Sequence, residues 1–131
     1  MSGWIRPRLA PALLLGLTVA AGLAVRALLA GWWAKYPGVA LWSVALYWLV
    51  LLVRPSLAIP RAAALTLALS WAVELFQLTP VPAALASKHV LFRLVLGRDF
   101  GVWDLPAYLA GVLLAAALHA LLPGKESTSA P

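Results

Sequence analysis

The sequence predicts an all-α membrane protein: a single domain over residues 1–131 that forms a polytopic helical bundle of four transmembrane helices plus a short interfacial helix. Two observations predict this class. Hydrophobic residues make up 64% of the chain and charged residues only 11%, whereas soluble domains are about half apolar and a quarter charged. The apolar residues also form four long runs, and the few polar residues inside each run recur at helical spacing.

The first apolar run extends from about Leu9 to Leu29, behind Arg6 and Arg8, and it is long enough to cross a bilayer. A charged start before an apolar stretch is also typical of a signal peptide. This run is longer than the apolar part of a signal peptide usually is, and three further runs follow it. We therefore predict an uncleaved span.

Prolines mark the limits of the other runs. They suit the first turn of a helix and the residues after its end, because proline has no backbone N–H to donate. In lipid each backbone group must be paired within its own segment, so the runs are predicted to be helices. The predicted spans are about residues 9–29, 38–53, 62–78 and 102–122, and residues 124–131 are predicted to be a disordered polar tail.

A segment of about residues 83–96 lies between the third and fourth spans and is too short to cross the membrane. His89, Arg93 and Gly97 follow one another at intervals of four residues, which aligns them along one face of a helix. We predict an amphipathic helix that lies flat on the membrane and turns this line toward headgroups or toward the bundle. The alternative is a plain basic loop that holds the protein at the surface.

Ionisable residues inside a membrane are costly and usually face the interior of a bundle. Arg26 lies near the end of the first run, Glu74 and Gln77 lie near the end of the third, and Asp104 begins the fourth. Odd-numbered spans end, and even-numbered spans begin, on the same membrane face. The sequence therefore predicts one polar site formed by these four residues.

Polar stripes along the runs favour the same arrangement. Each stripe repeats every three or four residues, so it can face the bundle axis. The stripes are Thr18, Gly22 and Arg26; Ser43 and Tyr47; Thr66, Ser70, Glu74 and Gln77; and Asp104 with Tyr108. The small residues Ala107, Gly111 and Ala115 predict a close helix contact.

Structural roles for the same residues stay open. Asp104 precedes Leu105 and Pro106, so it is also placed to cap the fourth helix. Arg26 and Glu74 are also candidates for a purely structural ion pair. His119 lies toward the opposite end of the fourth run, where a packed or interfacial histidine is expected.

The sequence lacks the residue patterns of several common catalytic, phosphate-binding and metal-binding sites. The chain has no cysteine, and it shows no Ser/His/Asp order, glycine-rich phosphate loop or cluster with metal-ligand spacing. We predict no cofactor and no metal site, and the sequence leans away from an enzyme without assigning catalytic residues. The net charge of +6 comes from basic residues near span ends, which indicates topology and headgroup anchoring rather than nucleic-acid binding.

Three stretches and Arg26 resemble a bacterial inner-membrane family numbered 2809 among domains of unknown function. They are AKYPGVALWSVALYWL (Ala34 to Leu49), VELFQL (Val73 to Leu78) and RLVLGRDFGVWDLPAYLAG (Arg93 to Gly111). The resemblance implies about four helices, an inner-membrane location and no established activity. Val39 stands where members of that family typically carry Asp, so the polar face has one carboxylate fewer.

The Glu-x-x-Gln and later Asp-x-x-x-Tyr-x-x-Gly pattern is also similar to VanZ-like proteins, although that pattern has asparagine where Tyr108 stands. Some of those proteins are associated with glycopeptide-antibiotic tolerance. The basic residues at the span ends favour a cytoplasmic N-terminus and C-terminus by five to four. The five are Arg6, Arg8, Arg54, Arg61 and Lys125, against Lys35, Lys88, Arg93 and Arg98 on the other side.

Three functions are consistent with this sequence. The first is binding of an anionic lipid or other amphiphile at one membrane face, with membrane lipids as partners. The second is a structural or assembly subunit that joins a membrane-protein partner or a second copy of itself. The third is an oligomeric transporter. The candidate ligand-binding residues are Arg26, Glu74, Gln77, Arg93, Asp104 and Tyr108.

Overall fold

A computed structural model describes residues 6–91 and 102–122 of the chain. All regular structure in these two ranges is helical, which confirms the predicted class. A short 3-10 helix at Arg6–Arg8 leads into the first α-helix. The α-helices are α1 (Leu9–Leu28), α2 (Trp32–Val53), α3 (Ile59–Phe76), α4 (Val81–Ala86) and α5 (Asp104–Leu121).

Four of these helices, α1, α2, α3 and α5, are long and apolar enough to span a membrane. Helix α2 begins at Trp32 rather than near residue 38, and α3 extends over Ile59–Phe76 rather than about residues 62–78. Pro37 lies inside α2, in its second turn. A proline so close to the start removes one backbone hydrogen bond and does not end the helix.

The chain reverses direction between α1 and α2 within a few residues. Gly31 has a φ of 65° in this turn, a left-handed conformation that side chains other than glycine rarely adopt. The two helices are therefore antiparallel neighbours. At their far ends, the Arg8 Nε atom donates a hydrogen bond of 2.9 Å to the Leu52 carbonyl oxygen.

Helix α2 occupies the centre of the bundle, because it contacts α1, α3 and α5. The contact between α3 and α5 completes the packing. The buried core lies among α2, α3 and α5 and consists of Val44, Tyr47, Trp48, Leu51, Ala62 and Ala115. Helix α1 packs mainly on α2, and most of its large apolar side chains are exposed, as lipid-facing side chains should be.

Gly111 is the point where α5 and α2 come closest. A Cβ atom added at this position would overlap the Ser43 Oγ atom and the backbone carbonyl of Ala40. Gly111 and Ala115 are both buried. The predicted small-residue line on this helix is thus used inside the bundle, where it lets two backbones approach.

The short helix α4 covers the first part of the segment predicted to lie on the membrane surface. It is six residues long, and the segment continues into residues 92–101, outside the described ranges. An interfacial position for the whole segment stays a prediction. Arg93 and Gly97 of its polar line fall in the gap between the two described ranges. The predicted polar tail, residues 124–131, also lies outside the described residues.

Gly111→Ala is expected to destabilise the bundle by about 1 to 3 kcal/mol, the usual cost of overpacking a well-packed core. The new methyl group meets backbone, which cannot rotate away. The free energy of unfolding in mixed detergent micelles, followed by circular dichroism, measures this. Gly16→Ala is the matched control, since no atom lies within 4 Å of a Cβ there, and it should be neutral or stabilising by up to about 1 kcal/mol. Equal effects in the two variants would contradict the close contact.

Candidate functional site at one end of the bundle

Glu74 and Tyr108 form a buried hydrogen-bonded pair between α3 and α5. The Tyr108 hydroxyl donates to Glu74 Oε2 over 2.9 Å. Glu74 is fully buried, together with Ala62, Thr66 and Ser70 on the same face of α3. The predicted α3 stripe thus faces the bundle interior, and two of the six candidate residues are brought into direct contact.

Helix α2 fixes the position of Tyr108. The Ser43 hydroxyl lies 3.1 Å from the Tyr108 carbonyl oxygen and 2.8 Å from the carbonyl of Ala40, one turn before it. The Trp42 ring packs at 5.6 Å, centroid to centroid, from the Tyr108 ring. Because its backbone and ring are both held, the Tyr108 hydroxyl reaches Glu74 without freedom to turn away.

Asp104 lies at the start of α5 and is buried, with 5% of its surface exposed. Its Oδ1 atom accepts no hydrogen bond from the described residues. The Nζ atom of Lys35, in the first turn of α2, lies 3.9 Å from that oxygen, which is an ion-pair distance and too long for a hydrogen bond. The Lys35 side chain itself is 52% exposed.

The capping role considered for Asp104 is not observed. The N-cap residue of α5 is Trp103, and no side chain forms a capping hydrogen bond there. Asp104 is instead the first helical residue. A carboxylate in the first turn is still stabilised by the positive end of the helix dipole. Its Oδ1 atom thereby remains available to a donor from outside the described chain.

The structure places the other candidates differently. Gln77 directly follows α3 and is half-buried, and its backbone N–H bonds to the carbonyls of Val73 and Glu74. The Arg26 side chain is exposed at the end of α1, and within the described residues no ion pair joins it to Glu74 or Asp104. The structural Arg26–Glu74 ion pair is therefore not observed. Arg93 lies outside the described ranges.

An open cleft adjoins the start of α5. Its volume is about 430 Å³, and its lining is Tyr36 from α2 together with Trp103, Pro106 and Ala107. The Trp71 indole on α3 donates a hydrogen bond of 3.1 Å to the Leu105 carbonyl, which ties the same turn of α5 to α3. Aromatic side chains and one buried carboxylate therefore surround this end of the bundle.

A second buried polar pair lies toward the other end of the bundle. The Tyr47 hydroxyl and His119 Nδ1 are 2.7 Å apart, and their rings pack edge to face. The sequence predicted a packed or interfacial histidine at His119, and the structure buries it; the pairing with Tyr47 was not predicted. The available signal was the helical face that His119 shares with Tyr108 and Ala115.

Metal binding finds no support in the described residues, which contain no group of three or more side chains able to hold an ion.

Comparison with protein families gives a match over residues 28–112 to a family described as a protein of unknown function (DUF2809). The chain belongs to the DUF2809 family. No curated protein and no solved structure matches it.

The DUF2809 match contains most of the candidate site. Glu74, Gln77, Asp104 and Tyr108 lie inside the matched range, whereas Arg26 and His119 lie outside it. The match confirms the family resemblance seen in the sequence, and its description assigns no activity. A function for this DUF2809 protein must therefore be argued from the site.

Tyr108→Phe is expected to lower the free energy of unfolding by about 1 kcal/mol, within the range measured for side-chain hydrogen bonds in membrane proteins. A double-mutant cycle with Glu74→Leu isolates the Tyr108–Glu74 interaction, because leucine has no acceptor for the Tyr108 hydroxyl. Tyr36→Phe is the control, because Tyr36 lines the open cleft rather than the buried pair. Additive effects of the two substitutions in the cycle would show that the hydrogen bond contributes nothing to stability.

Proposed function

We propose that the protein binds the headgroup of a phospholipid, or of an amphiphile with similar chemistry, at the membrane face where α2 and α5 begin. The observation that carries this proposal is the Asp104 carboxylate. Its Oδ1 atom is buried, accepts no hydrogen bond from the described residues, and lies 3.9 Å from an exposed lysine. A buried carboxylate oxygen without a donor is costly, and a ligand N–H or O–H group would supply one.

The charges around the site indicate which headgroups fit. Asp104 and Glu74 are buried acids, Lys35 beside Asp104 is exposed, and so is Arg26 at the end of α1. A phosphate would lie toward the outer basic side chains, and an amine or hydroxyl of the same headgroup would donate to Asp104. Phosphatidylethanolamine and phosphatidylglycerol carry both groups. Phosphatidylcholine carries the phosphate but no N–H or O–H donor.

The open cleft at the start of α5 would give the headgroup a place to lie. Its lining of Tyr36, Trp103, Pro106 and Ala107 is aromatic and apolar. Tyrosine and tryptophan are typical of the headgroup level of a membrane. A lipid in this cleft would place its glycerol region against these side chains and its polar group against the first turn of α5.

We further propose a bacterial inner-membrane location with both termini in the cytoplasm, so that the site faces the outer leaflet. The hydrogen bond from Arg8 to Leu52 holds the start of α1 beside the end of α2, where Arg54 follows. Basic residues near these ends favour the cytoplasmic side. We also propose a relationship to VanZ-like proteins. The pattern that suggests it includes Glu74, Gln77 and Asp104, which lie at the same end of the bundle as the site.

The assembly alternative has less support in the described residues. The small-residue line on α5 is the surface best suited to a partner helix, but it is used within the bundle, because Gly111 and Ala115 are buried there. A membrane-protein partner or second copy would need another surface. Lipid binding is therefore the function that this geometry supports best.

We expect the purified protein to retain phosphatidylethanolamine and phosphatidylglycerol in preference to phosphatidylcholine, measured by native mass spectrometry after exchange against defined lipid mixtures. Asp104→Asn should remove this preference, since it removes a charge-assisted hydrogen bond whose loss weakens binding about ten-fold or more. Lys35→Gln should weaken the binding of all three lipids, because each of them carries a phosphate.

Lys88→Gln is the matched control for this experiment. Lys88 is an exposed lysine beyond α3, on the same side of the bundle and away from the Asp104 carboxylate. Its substitution should leave lipid retention unchanged. Equal retention of the three lipids by the unaltered protein, or an unchanged preference in the Asp104→Asn variant, would refute the proposed headgroup site.

A further inference from the structure

Buried polar side chains continue from the candidate site toward the opposite end of the bundle. We call this set the polar row. Each member is at most 5% exposed, and the members are Ser43 and Tyr47 on α2, Thr66, Ser70 and Glu74 on α3, and Asp104, Tyr108 and His119 on α5. From Asp104 to His119 the row covers about 22 Å of helix rise. The hydrocarbon core of a bilayer is about 30 Å thick.

The two ends of the polar row are hydrogen-bonded pairs that can exchange protons. At the site end, the Tyr108 hydroxyl donates to the Glu74 carboxylate over 2.9 Å, and Asp104 lies one turn before Tyr108 on α5. At the other end, the Tyr47 hydroxyl lies 2.7 Å from His119 Nδ1. A carboxylate and an imidazole are the groups that usually relay protons within membranes.

Thr66 and Ser70 lie between these pairs and carry the main evidence. Both side chains are fully buried, and neither hydroxyl oxygen forms a hydrogen bond within the described protein. A buried hydroxyl without a partner costs free energy, so two successive ones on one helix face require an explanation. By contrast, the hydroxyl of Thr18 on α1 bonds to a carbonyl of its own helix over 2.7 Å.

The spacing of these hydroxyls fits water. Thr66, Ser70 and Glu74 follow one another at one helical turn, a rise of about 5.4 to 6 Å. A water molecule with hydrogen bonds of about 2.8 Å joins two oxygens about 4.5 Å apart at its tetrahedral angle, and two waters in series join oxygens up to about 7 Å apart. One or two waters between each successive pair would therefore satisfy both hydroxyls and hydrate the carboxylate.

The same spacing disfavours a cation site. Thr66 and Glu74 are two turns apart, about 12 Å along the helix, so a single ion cannot contact both. A metal ion bound through oxygen needs several ligands at about 2 to 2.6 Å from one point. A line of separated oxygens is a poor coordination shell and a good scaffold for a file of water molecules.

The polar row reaches the Tyr47–His119 pair through the core. Ala62, one turn before Thr66 on the same face of α3, packs in the core cluster with Tyr47 and Ala115. Thr66 therefore lies on the face of α3 that packs into the same core as Tyr47. Val44, Trp48 and Leu51 are buried in the same core cluster, so apolar side chains flank Tyr47.

We propose that the polar row holds internal water and conducts protons between Glu74 and His119. Protonated Glu74 gives its proton to the adjacent water, and each oxygen along Ser70 and Thr66 accepts one proton and releases another. Tyr47 passes a proton to His119 Nδ1 and regains one from the water beside it, so Glu74 ends as a carboxylate and His119 as an imidazolium. No electron moves, and every hydroxyl ends neutral.

His119 then releases that proton on its side of the membrane. Glu74 takes up a new proton from the other side through Tyr108 and Asp104. These two steps complete one transfer across the membrane. Tyr108 donates a hydrogen bond to Glu74 and lies close enough to Asp104 to sense its charge, and Tyr47 contacts His119. This activity goes beyond headgroup binding and does not depend on it.

The test uses the full chain in phosphatidylcholine vesicles that enclose a pH-sensitive dye. A potassium gradient with valinomycin drives the protons. We expect the unaltered protein to change the internal pH faster than protein-free vesicles do. The double variant Thr66→Val/Ser70→Ala should fall to the protein-free rate, because it removes both hydroxyls while nearly preserving side-chain volume.

Thr66→Ser and Thr18→Val are the controls. Thr66→Ser keeps a hydroxyl at the same turn and should keep the flux, which separates the loss of the hydroxyl from a change in packing. Thr18→Val removes a hydroxyl outside the polar row and should also keep the flux. Circular dichroism and size exclusion in detergent establish that each variant is folded.

Three results would overturn the proposal. The first is a proton flux in the unaltered protein that is no faster than in protein-free vesicles, and the second is an unchanged proton flux in the double variant. The third is a flux that stops when choline replaces the sodium of the assay buffer. The last result would indicate a cation path. Phosphatidylcholine is the lipid that the proposed headgroup site disfavours, so failure of lipid selectivity and failure of proton flux are separate outcomes.

Discussion

The close contact of α2 and α5 at Gly111 is the constraint on which the rest of the bundle depends. Lipid removes the hydrophobic drive between helices, so their association relies on close packing and hydrogen bonds. Because Gly111 has no Cβ, the Ala40 carbonyl and the Ser43 hydroxyl can lie against α5. The same approach brings Ser43 to the Tyr108 carbonyl on one side and Tyr47 to His119 on the other. Helix α3 then packs where those groups are already fixed.

The buried acid on α3 is tolerated because that packing supplies it with a donor. An ionisable group away from water in a bilayer is expensive unless it is paired. Tyr108 reaches Glu74 only because its own backbone and ring are held by Ser43 and Trp42. The contacts of α2 with Tyr108 therefore determine where the Glu74 carboxylate finds its hydrogen-bond donor. Both proposed activities use this geometry.

Sequence patterns predicted the helices and the faces they bury, but not which helices are neighbours. The interval of four residues from Thr66 to Glu74 was sufficient to place that face inside the bundle, as the structure confirms. Arg26 follows the same interval on α1, yet its side chain is exposed, because α1 packs mainly on α2. The Tyr47–His119 pair depends on the relative register of two parallel helices, which no single-helix pattern encodes.

The peripheral position of α1 has a consequence for how the chain can change over time. The family match begins at residue 28, at the end of α1, while the polar row lies entirely on the three other long helices. Apart from Arg26, which the proposed headgroup site uses, α1 contributes its length, its apolarity and the narrow surface that meets α2. An apolar helix of another sequence that keeps these three properties is therefore expected to leave the polar row in place.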